Sequence, residues 1–304
     1  MSAPPEDVRG RPRVGYLGPE GTFSEEALLA SAAPDAVEPV AEPTIYDAVA
    51  ALRRGELDWA LVPIENSLEG SINVTLDLLA EQAGDVAVVG EALLHVRHSL
   101  IGVGEATLEE IETVLTHPQV PGQCTRFLRQ ELAHARIVPA SSTAEAVRTV
   151  AGEDDRRQAA LGTKLAASIY GARVIREGVE DDAGNETRFV WLARSADAAS
   201  LPPLRAPATE GWRTSVVFWG LGAERPGSLV RCLDEFARRE INLTKIESRP
   251  RRDGMGSYMF FADLSGRAED PNLAAAIAGV AGLAGEVRVL GTYPAAARAA
   301  PPSG

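Results

Sequence analysis

Short apolar runs separated by helix-patterned stretches repeat along the first 194 residues, and this alternation leaves the chain few folds to choose from. Runs at 13–17, 60–63, 86–89, 113–116, 136–139, 159–161 and 189–192 read as strands. Between them, 24–32, 45–54, 75–80, 108–111, 124–132, 144–151 and 164–170 read as helices. Strand–helix alternation predicts an α/β fold with mostly parallel sheet. In such sheets ligands lie beyond the carboxyl ends of strands, where loops enter helix N-termini. The pattern then breaks. Residues 195–211 read SADAASLPPLRAPATEG, a linker by composition. After it come a strand at 214–219, a helix at 228–239 with Leu229, Leu233 and Phe236 on one face, strands at 242–248 and 258–264, a helix at 272–283 and a strand at 287–290. That βαββαβ order is ferredoxin-like, an α+β unit. The expected layout is one domain over 12–194, a linker over 195–211, a second domain over 212–293 and a disordered tail over 294–304.

A chain of 304 residues, 45% hydrophobic and 24% charged, can bury two cores. Its formal net charge of −13 disfavours nucleic acid and anionic membranes as partners. A small anion would therefore have to be held by local donors. Cys124 and Cys232 are the two cysteines and share no CxxC spacing, which argues against a disulfide framework or zinc site and for a reducing cytoplasm. Residues 1–12 carry no apolar core of a secretory signal, and no apolar run approaches membrane-spanning length. No HExxH, paired Cys or His, or carboxylate cluster points to a metal, and no GxGxxG points to a dinucleotide, so no cofactor is expected.

Several strand ends run into polar or glycine-rich segments. Gly18-Pro19-Glu20-Gly21-Thr22-Phe23-Ser24 lacks the Gly-Lys-Ser/Thr of a nucleotide loop; it reads as an anion-receiving helix start or as a plain N-cap after a glycine turn. Pro63-Ile64-Glu65-Asn66-Ser67 sets three hydrogen-bonding side chains at the end of an apolar strand. His117-Pro118-Gln119 offers an imidazole, either a general acid–base or a structural group, and Cys124 reads as a buried structural thiol. Ser141-Ser142-Thr143-Ala144 and Gly162-Thr163-Lys164 repeat the strand–hydroxyl–helix theme; Lys164 would either add a positive charge or stay solvated. Asn185-Glu186-Thr187-Arg188-Phe189 puts a hydroxyl and a guanidinium at the mouth of a buried strand, and a guanidinium binds carboxylates bidentately. Such a set suits a small ligand with more than one carboxylate.

These segments, in this order, closely resemble the prephenate dehydratase family. The resemblance rests on residues 16–24, 63–67, 117–119, 123–124, 142–144 and 185–189, and on Gly227-Ser228-Leu229-Val230 and Glu247-Ser248-Arg249-Pro250, which resemble an ACT regulatory domain. It runs from about Arg13 to about Tyr293. It implies a two-lobed, periplasmic-binding-protein-like catalytic domain that turns prephenate into phenylpyruvate with loss of CO2 and water, and feedback by L-phenylalanine through the second domain. Carried over residue by residue, it implies Thr187 as proton donor or leaving-group stabiliser and Arg188 as carboxylate partner, with Glu65 beside them. Thr22, Asn66, Ser67, Ser142, Thr143, Lys164 and Phe189 would bind substrate. Gly227, Ser228, Leu229, Val230, Asn242 and Leu243 would hold the effector, and Glu247, Ser248, Arg249 and Pro250 would form that site's interface. The family more often has Ala where Ser228 stands. The resemblance also implies a homodimer or homotetramer. Arogenate, with an amino group in place of the keto oxygen, is the closest rival substrate, and these motifs do not separate it from prephenate.

Overall fold

Strand β11 (Glu186–Arg194) organises the N-terminal half, although it is the last of its strands to be made. It lies between β3 (Trp59–Asn66) and β5 (Val86–His95), antiparallel to both; with β1 (Arg13–Leu17) and β2 (Glu38–Glu42) they form a sheet of order β2-β1-β3-β11-β5. Its residues from Thr187 to Ala193 are all buried, which is why the strand reads as an uninterrupted apolar run beyond Arg188. In the computed structural model, residues 10–205, 209–222, 226–251 and 256–296 are described.

Around β11 the first lobe also holds β1 (Arg13–Leu17), α1 (Phe23–Ser31), β2 (Glu38–Glu42), α2 (Ile45–Arg53), β4 (Gly70–Ser71) and α3 (Asn73–Asp77), which runs into a π turn at Leu78–Gln82. Helix α2 shows the local logic. The Thr44 side chain accepts the Asp47 N–H at its start, and Ile45, Ala48, Val49 and Leu52 line one buried face at helical spacing.

The chain crosses once into a second lobe: β6 (Ser99–Gly102), β7 (Thr113–Thr116), α4 (Val120–Gln123), α5 (Thr125–Glu131), β8 (Arg136–Pro139), α6 (Thr143–Glu153), β9 (Gln158–Gly162), α7 (Lys164–Tyr170) and β10 (Arg173–Glu177). These strands form a sheet of order β10-β6-β9-β7-β8. The chain then returns to the first lobe in β11. The two crossing segments lie side by side, with the Val96 N–H donating to the Asn185 carbonyl at 2.8 Å.

The C-terminal domain follows the expected βαββαβ order: β12 (Thr209–Trp219), α8 (Ser228–Ala237), β13 (Leu243–Pro250), β14 (Tyr258–Ser265), α9 (Pro271–Ala281) and β15 (Glu286–Ala296). Its sheet, β13-β14-β12-β15, is antiparallel throughout. Helices α8 and α9 cover one face over Val216, Phe218, Ala262 and Leu264. The other face is not left to solvent. Val217, Met259, Phe261, Leu290 and Tyr293 share one core with Leu79, Ala80, Ala83 and Val88 of the first lobe. At Gly291 the two backbones pass so closely that a Cβ would collide with the Val88 carbonyl.

Three expectations change. The lobe sheets are mixed rather than mostly parallel: β1–β2, β1–β3, β7–β8 and β7–β9 are parallel, but every strand next to a lobe crossing pairs antiparallel. Strands β2 and β10 escape sequence reading because they are short edge strands punctuated by charge, and β6 is missed as well. The segment at 294–296 is not tail but the end of β15, while 297–304 lie outside the described residues. So do 206–208 of the expected linker and 1–9 at the N-terminus. The described part of that linker is pinned to the end of α1, through Ala33 N–H to Pro203 O at 2.8 Å and Arg205 N–H to Ser31 O at 2.9 Å.

Candidate active site

Between the two lobes lies a cleft of about 510 Å3, and it collects the strand ends and helix starts that the sequence offered. Thr22, Asn66, Ser142, Thr143 and Thr187 all line it, with His117 and Gln119. Asn66 and Thr187 face each other as directly paired residues of β3 and β11.

The direction of each proton near Thr187 follows from the backbone. The Asn66 side-chain oxygen accepts two main-chain N–H groups, from Leu68 at 2.9 Å and Glu69 at 3.0 Å, which fixes the orientation of the amide. Its nitrogen must therefore donate, and it does so to Asn185 Oδ1 at 2.8 Å and Thr187 Oγ1 at 2.9 Å. Thr187 Oγ1 is thereby an acceptor within the protein. Among the described residues no acceptor takes its own proton, which is left for a ligand. The same logic runs onward. Asn185 Nδ2 donates to Gln123 Oε1 at 3.1 Å, and Gln123 Nε2 donates to Glu69 Oε1 at 3.0 Å. His98 Nε2, 3.1 Å from Gln123 Oε1, must carry a hydrogen. Burial lowers the His98 pKa below its ordinary value, so this ring is neutral near pH 7.

Side-chain hydrogen bonds join the two lobes across the cleft. Thr163 Oγ1 donates to the Gly21 carbonyl at 2.6 Å while accepting the Ala166 N–H that caps α7. Tyr170 donates to the Glu20 carbonyl at 2.8 Å, and Gln119 Nε2 to Glu69 Oε2 at 2.9 Å. No Lys or Arg lines the cleft among the described residues. Its backbone donors are at the N-termini of α1 and α6, whose first N–H groups have no backbone partner within their helices, although Glu25, Glu26 and Glu145 stand in those first turns. The Ser142 hydroxyl already accepts the Glu145 N–H at 3.0 Å, and Thr22 donates to the Leu17 carbonyl at 3.0 Å. Cys124 is fully buried and its thiol is pushed up to about 12 by burial, so it is no nucleophile. No metal-holding cluster of His, Cys, Asp or Glu occurs among the described residues.

Five residues expected here lie elsewhere. Arg188 and Glu65 cannot share the cleft with Thr187 and Asn66, because neighbouring strand residues point to opposite faces. They face the C-terminal domain, where Arg188 meets Asp263 at 2.7 Å and Glu65 meets Lys245 at 2.7 Å. Ser67 lines that same rear hollow and accepts the Glu186 N–H at 3.0 Å. Lys164 points to solvent and pairs with Glu177 at 2.5 Å, and Phe189 is core. Conversely, His98, Glu69 and Gln123 line the cleft without having been singled out as site residues. For Gln123 the adjoining strand-to-helix motif was a signal, whereas a lone His98 between strands offered none.

The C-terminal domain has its own hollow of about 850 Å3. Gly227, Ser228, Leu229 and Val230 line it, opposite Gly220 to Gly222 and Tyr258. The expected partners Asn242 and Leu243 do not; Leu243 packs into the domain core. Nor do Glu247, Ser248, Arg249 and Pro250. Along β13 the alternate residues Glu247 and Arg249 turn to the first lobe, reaching Ser71 at 3.2 Å and Asp77 at 2.8 Å, while Ser248 and Pro250 are exposed.

Taken together, fold and site define a two-lobed cleft protein with an amino-terminal catalytic-type domain and a small α+β domain docked on it. Residues 14–197 match the family model for prephenate dehydratase, and 221–282 that for the ACT domain. The chain belongs to the prephenate dehydratase family. It is 39% identical to the prephenate dehydratase of Mycolicibacterium vanbaalenii over 93% of this chain and 91% of that one. Among solved structures it is similar to the prephenate dehydratase of Arthrobacter aurescens in complex with L-Phe, with a TM-score of 0.80 and 34% identity over 93% of this chain and 90% of that one. It is equally similar in shape, TM-score 0.80 at 27% identity over 93% and 98%, to GqqA, described as a novel type of quorum quenching acylase. No described helix is long and apolar enough to cross a membrane.

Proposed function

We propose that the chain catalyses the decarboxylative dehydration of prephenate to phenylpyruvate, a carbon–oxygen lyase reaction, and that L-phenylalanine inhibits it through the C-terminal domain. The observation that carries this reading is the Thr187 hydroxyl, whose lone pair is engaged by Asn66 and whose proton is left for a ligand. The reaction asks for little more. The electron pair of the ring carbon–carboxylate bond enters the ring as CO2 leaves, and the distal carbon–oxygen bond breaks with its pair on oxygen. The departing hydroxide becomes water, with solvent supplying the net proton. A positioned donor at that oxygen lowers the barrier, and aromatisation supplies the driving force. The α1 and α6 N-termini hold the two carboxylates and align the ring.

The effector reading rests on the hollow at Gly227–Val230, at the start of α8, and on the L-Phe complex of the Arthrobacter relative. It goes with a cytoplasmic homodimer or homotetramer that binds neither nucleic acid nor membrane. The test is direct: purified protein is offered prephenate, then arogenate, with and without L-phenylalanine. We expect phenylpyruvate from prephenate, less of it with L-phenylalanine, and a raised Tm with that amino acid. No turnover of prephenate sinks the catalytic reading; titration with neither heat nor inhibition sinks the regulatory one.

A further inference from the structure

Behind the cleft, six ionic side chains are joined by ion pairs where the C-terminal domain docks on the first lobe, in a hollow that Glu186 also lines. The lobe contributes Arg188, Glu65 and Glu91; the domain contributes Arg213, Lys245 and Asp263. Arg188 lies 2.7 Å from Asp263, 3.4 Å from Glu91 and 3.3 Å from Glu65. Lys245 closes on Glu65 at 2.7 Å, and Arg213 pairs with Glu91. Arg188, Glu91, Asp263 and Lys245 are each nine-tenths or more buried at the side chain. Within this set the lobe side carries one excess negative charge and the domain side one excess positive, so neither half is balanced alone. Burial by itself would lower the Arg188 pKa, but the carboxylates of Asp263, Glu91 and Glu65 outweigh it, and the guanidinium stays charged.

The register turns this cluster towards the cleft. Thr187 pairs with Asn66 across β11 and β3, and the very next pair is Arg188 with Glu65. One pair faces the cleft and its neighbour faces the C-terminal domain. Immediately after Arg188 the register with β3 shifts, while the pairing with β5 runs on unbroken there, so the irregularity lies on the β3 side alone.

We infer that Arg188, with Glu65, is a positioning residue: it clamps the β3–β11 tip to Asp263 and Lys245 of the C-terminal domain and so sets where Thr187 and Asn66 stand in the cleft. Arg188 does not touch the substrate. A guanidinium is suited to this because its fork reaches carboxylates on both sides of the interface at once. This inference rests on the catalytic reading above for its kinetic test, but not for its structural one.

The test uses the full chain. Arg188→Gln and Asp263→Asn are made singly and together, with Arg188→Lys as the conservative variant. Each single change is expected to lower kcat by about tenfold or more while KM for prephenate moves less than about threefold, the pattern of a displaced group rather than lost binding. The double variant should be no worse than the poorer single one, since both break the same contact. Arg188→Lys should recover part of the loss. A large KM rise confined to Arg188→Gln, with Asp263→Asn at parental kcat, overturns the clamp and returns Arg188 to substrate binding. If Arg188→Gln does not fold, Asp263→Asn and Lys245→Met decide by the same kcat criterion. Amide exchange over residues 186–190 reads the clamp without any substrate. Faster exchange in Asp263→Asn than in the parent is expected, and unchanged exchange overturns the inference even if the parent proves inactive on prephenate.

Discussion

Gly21→Ala should prop the cleft open. Gly21 has φ +84°, and a Cβ added there would stand 2.8 Å from both Cα and Cβ of Ala166, on α7 of the opposite lobe. Two costs separate cleanly. The left-handed backbone costs an alanine about 1–2 kcal/mol in folding, whatever the lobes do. The collision weighs only on the closed state. Carbon atoms prefer roughly 3.5–4.0 Å, so the lobes must part locally by about 1 Å. That stretches the 2.6 Å bond from Thr163 to the Gly21 carbonyl beyond useful length and forfeits about 1 kcal/mol more. Misplacing reacting groups by about 1 Å can cost about a hundredfold in rate. The expected outcome is therefore a Tm lowered by a few degrees and a kcat/KM for prephenate lowered by roughly thirty- to a hundredfold, followed through phenylpyruvate formation. A variant with kcat/KM within about threefold of the parent would refute the idea that this contact governs closure.

Two further outcomes follow from the proton directions in the cleft. Thr187→Val, nearly isosteric, should lower kcat by about a hundredfold or more with a small change in Tm, and Asn66→Asp should do comparable damage. An aspartate there would face the Leu68 and Glu69 N–H groups with one oxygen and, with the other, draw the Thr187 proton inward; near-normal kcat in either variant would remove Thr187 from the chemistry. The neutral, buried His98 makes stability depend on pH. Its folded pKa lies below the unfolded value near 6.5, so between the two the unfolded chain binds the extra proton and stability falls as pH falls, at up to about 1.4 kcal/mol per pH unit. Thermal unfolding from pH 7 to 5 should show this loss, and His98→Gln should flatten it; an unchanged slope would assign the loss to other groups.

Element type was largely legible in the chain, because apolar runs and helix-start hydroxyls carry their own period. The cleft was half legible. Thr22, Asn66, Ser142, Thr143 and Thr187 are where strand–hydroxyl–helix junctions put them. Arg188 was misplaced because the strand was expected to start at Phe189, whereas it starts at Glu186. With the strand begun three residues earlier, alternation alone would have sent Thr187 and Arg188 to opposite faces. The surroundings of Glu247 and Arg249 were hidden for another reason. Nothing in a strand's own sequence tells which neighbour will cover it, and here the first lobe does. His98, Gln123 and Asn185 were beyond reach as a set, since their hydrogen bonds join separated segments whose proximity only the folded lobes create.

The central position of β11 has a consequence for biogenesis. A ribosome delivers β1, β3 and β5 early, then the whole second lobe, residues 96–185, before the strand that joins β3 to β5. Until then two apolar edges of the first sheet stand unpaired, an invitation to mispairing with other nascent chains. Yet the second lobe begins and ends at neighbouring points, bridged by Val96 and Asn185, and its sheet contains no strand from outside. It can therefore assemble while still tethered and hand the next residues straight to the gap. The strand bearing Thr187 is thus the closing piece of the nascent domain: the Thr187 hydroxyl reaches the cleft in the same step that completes the sheet.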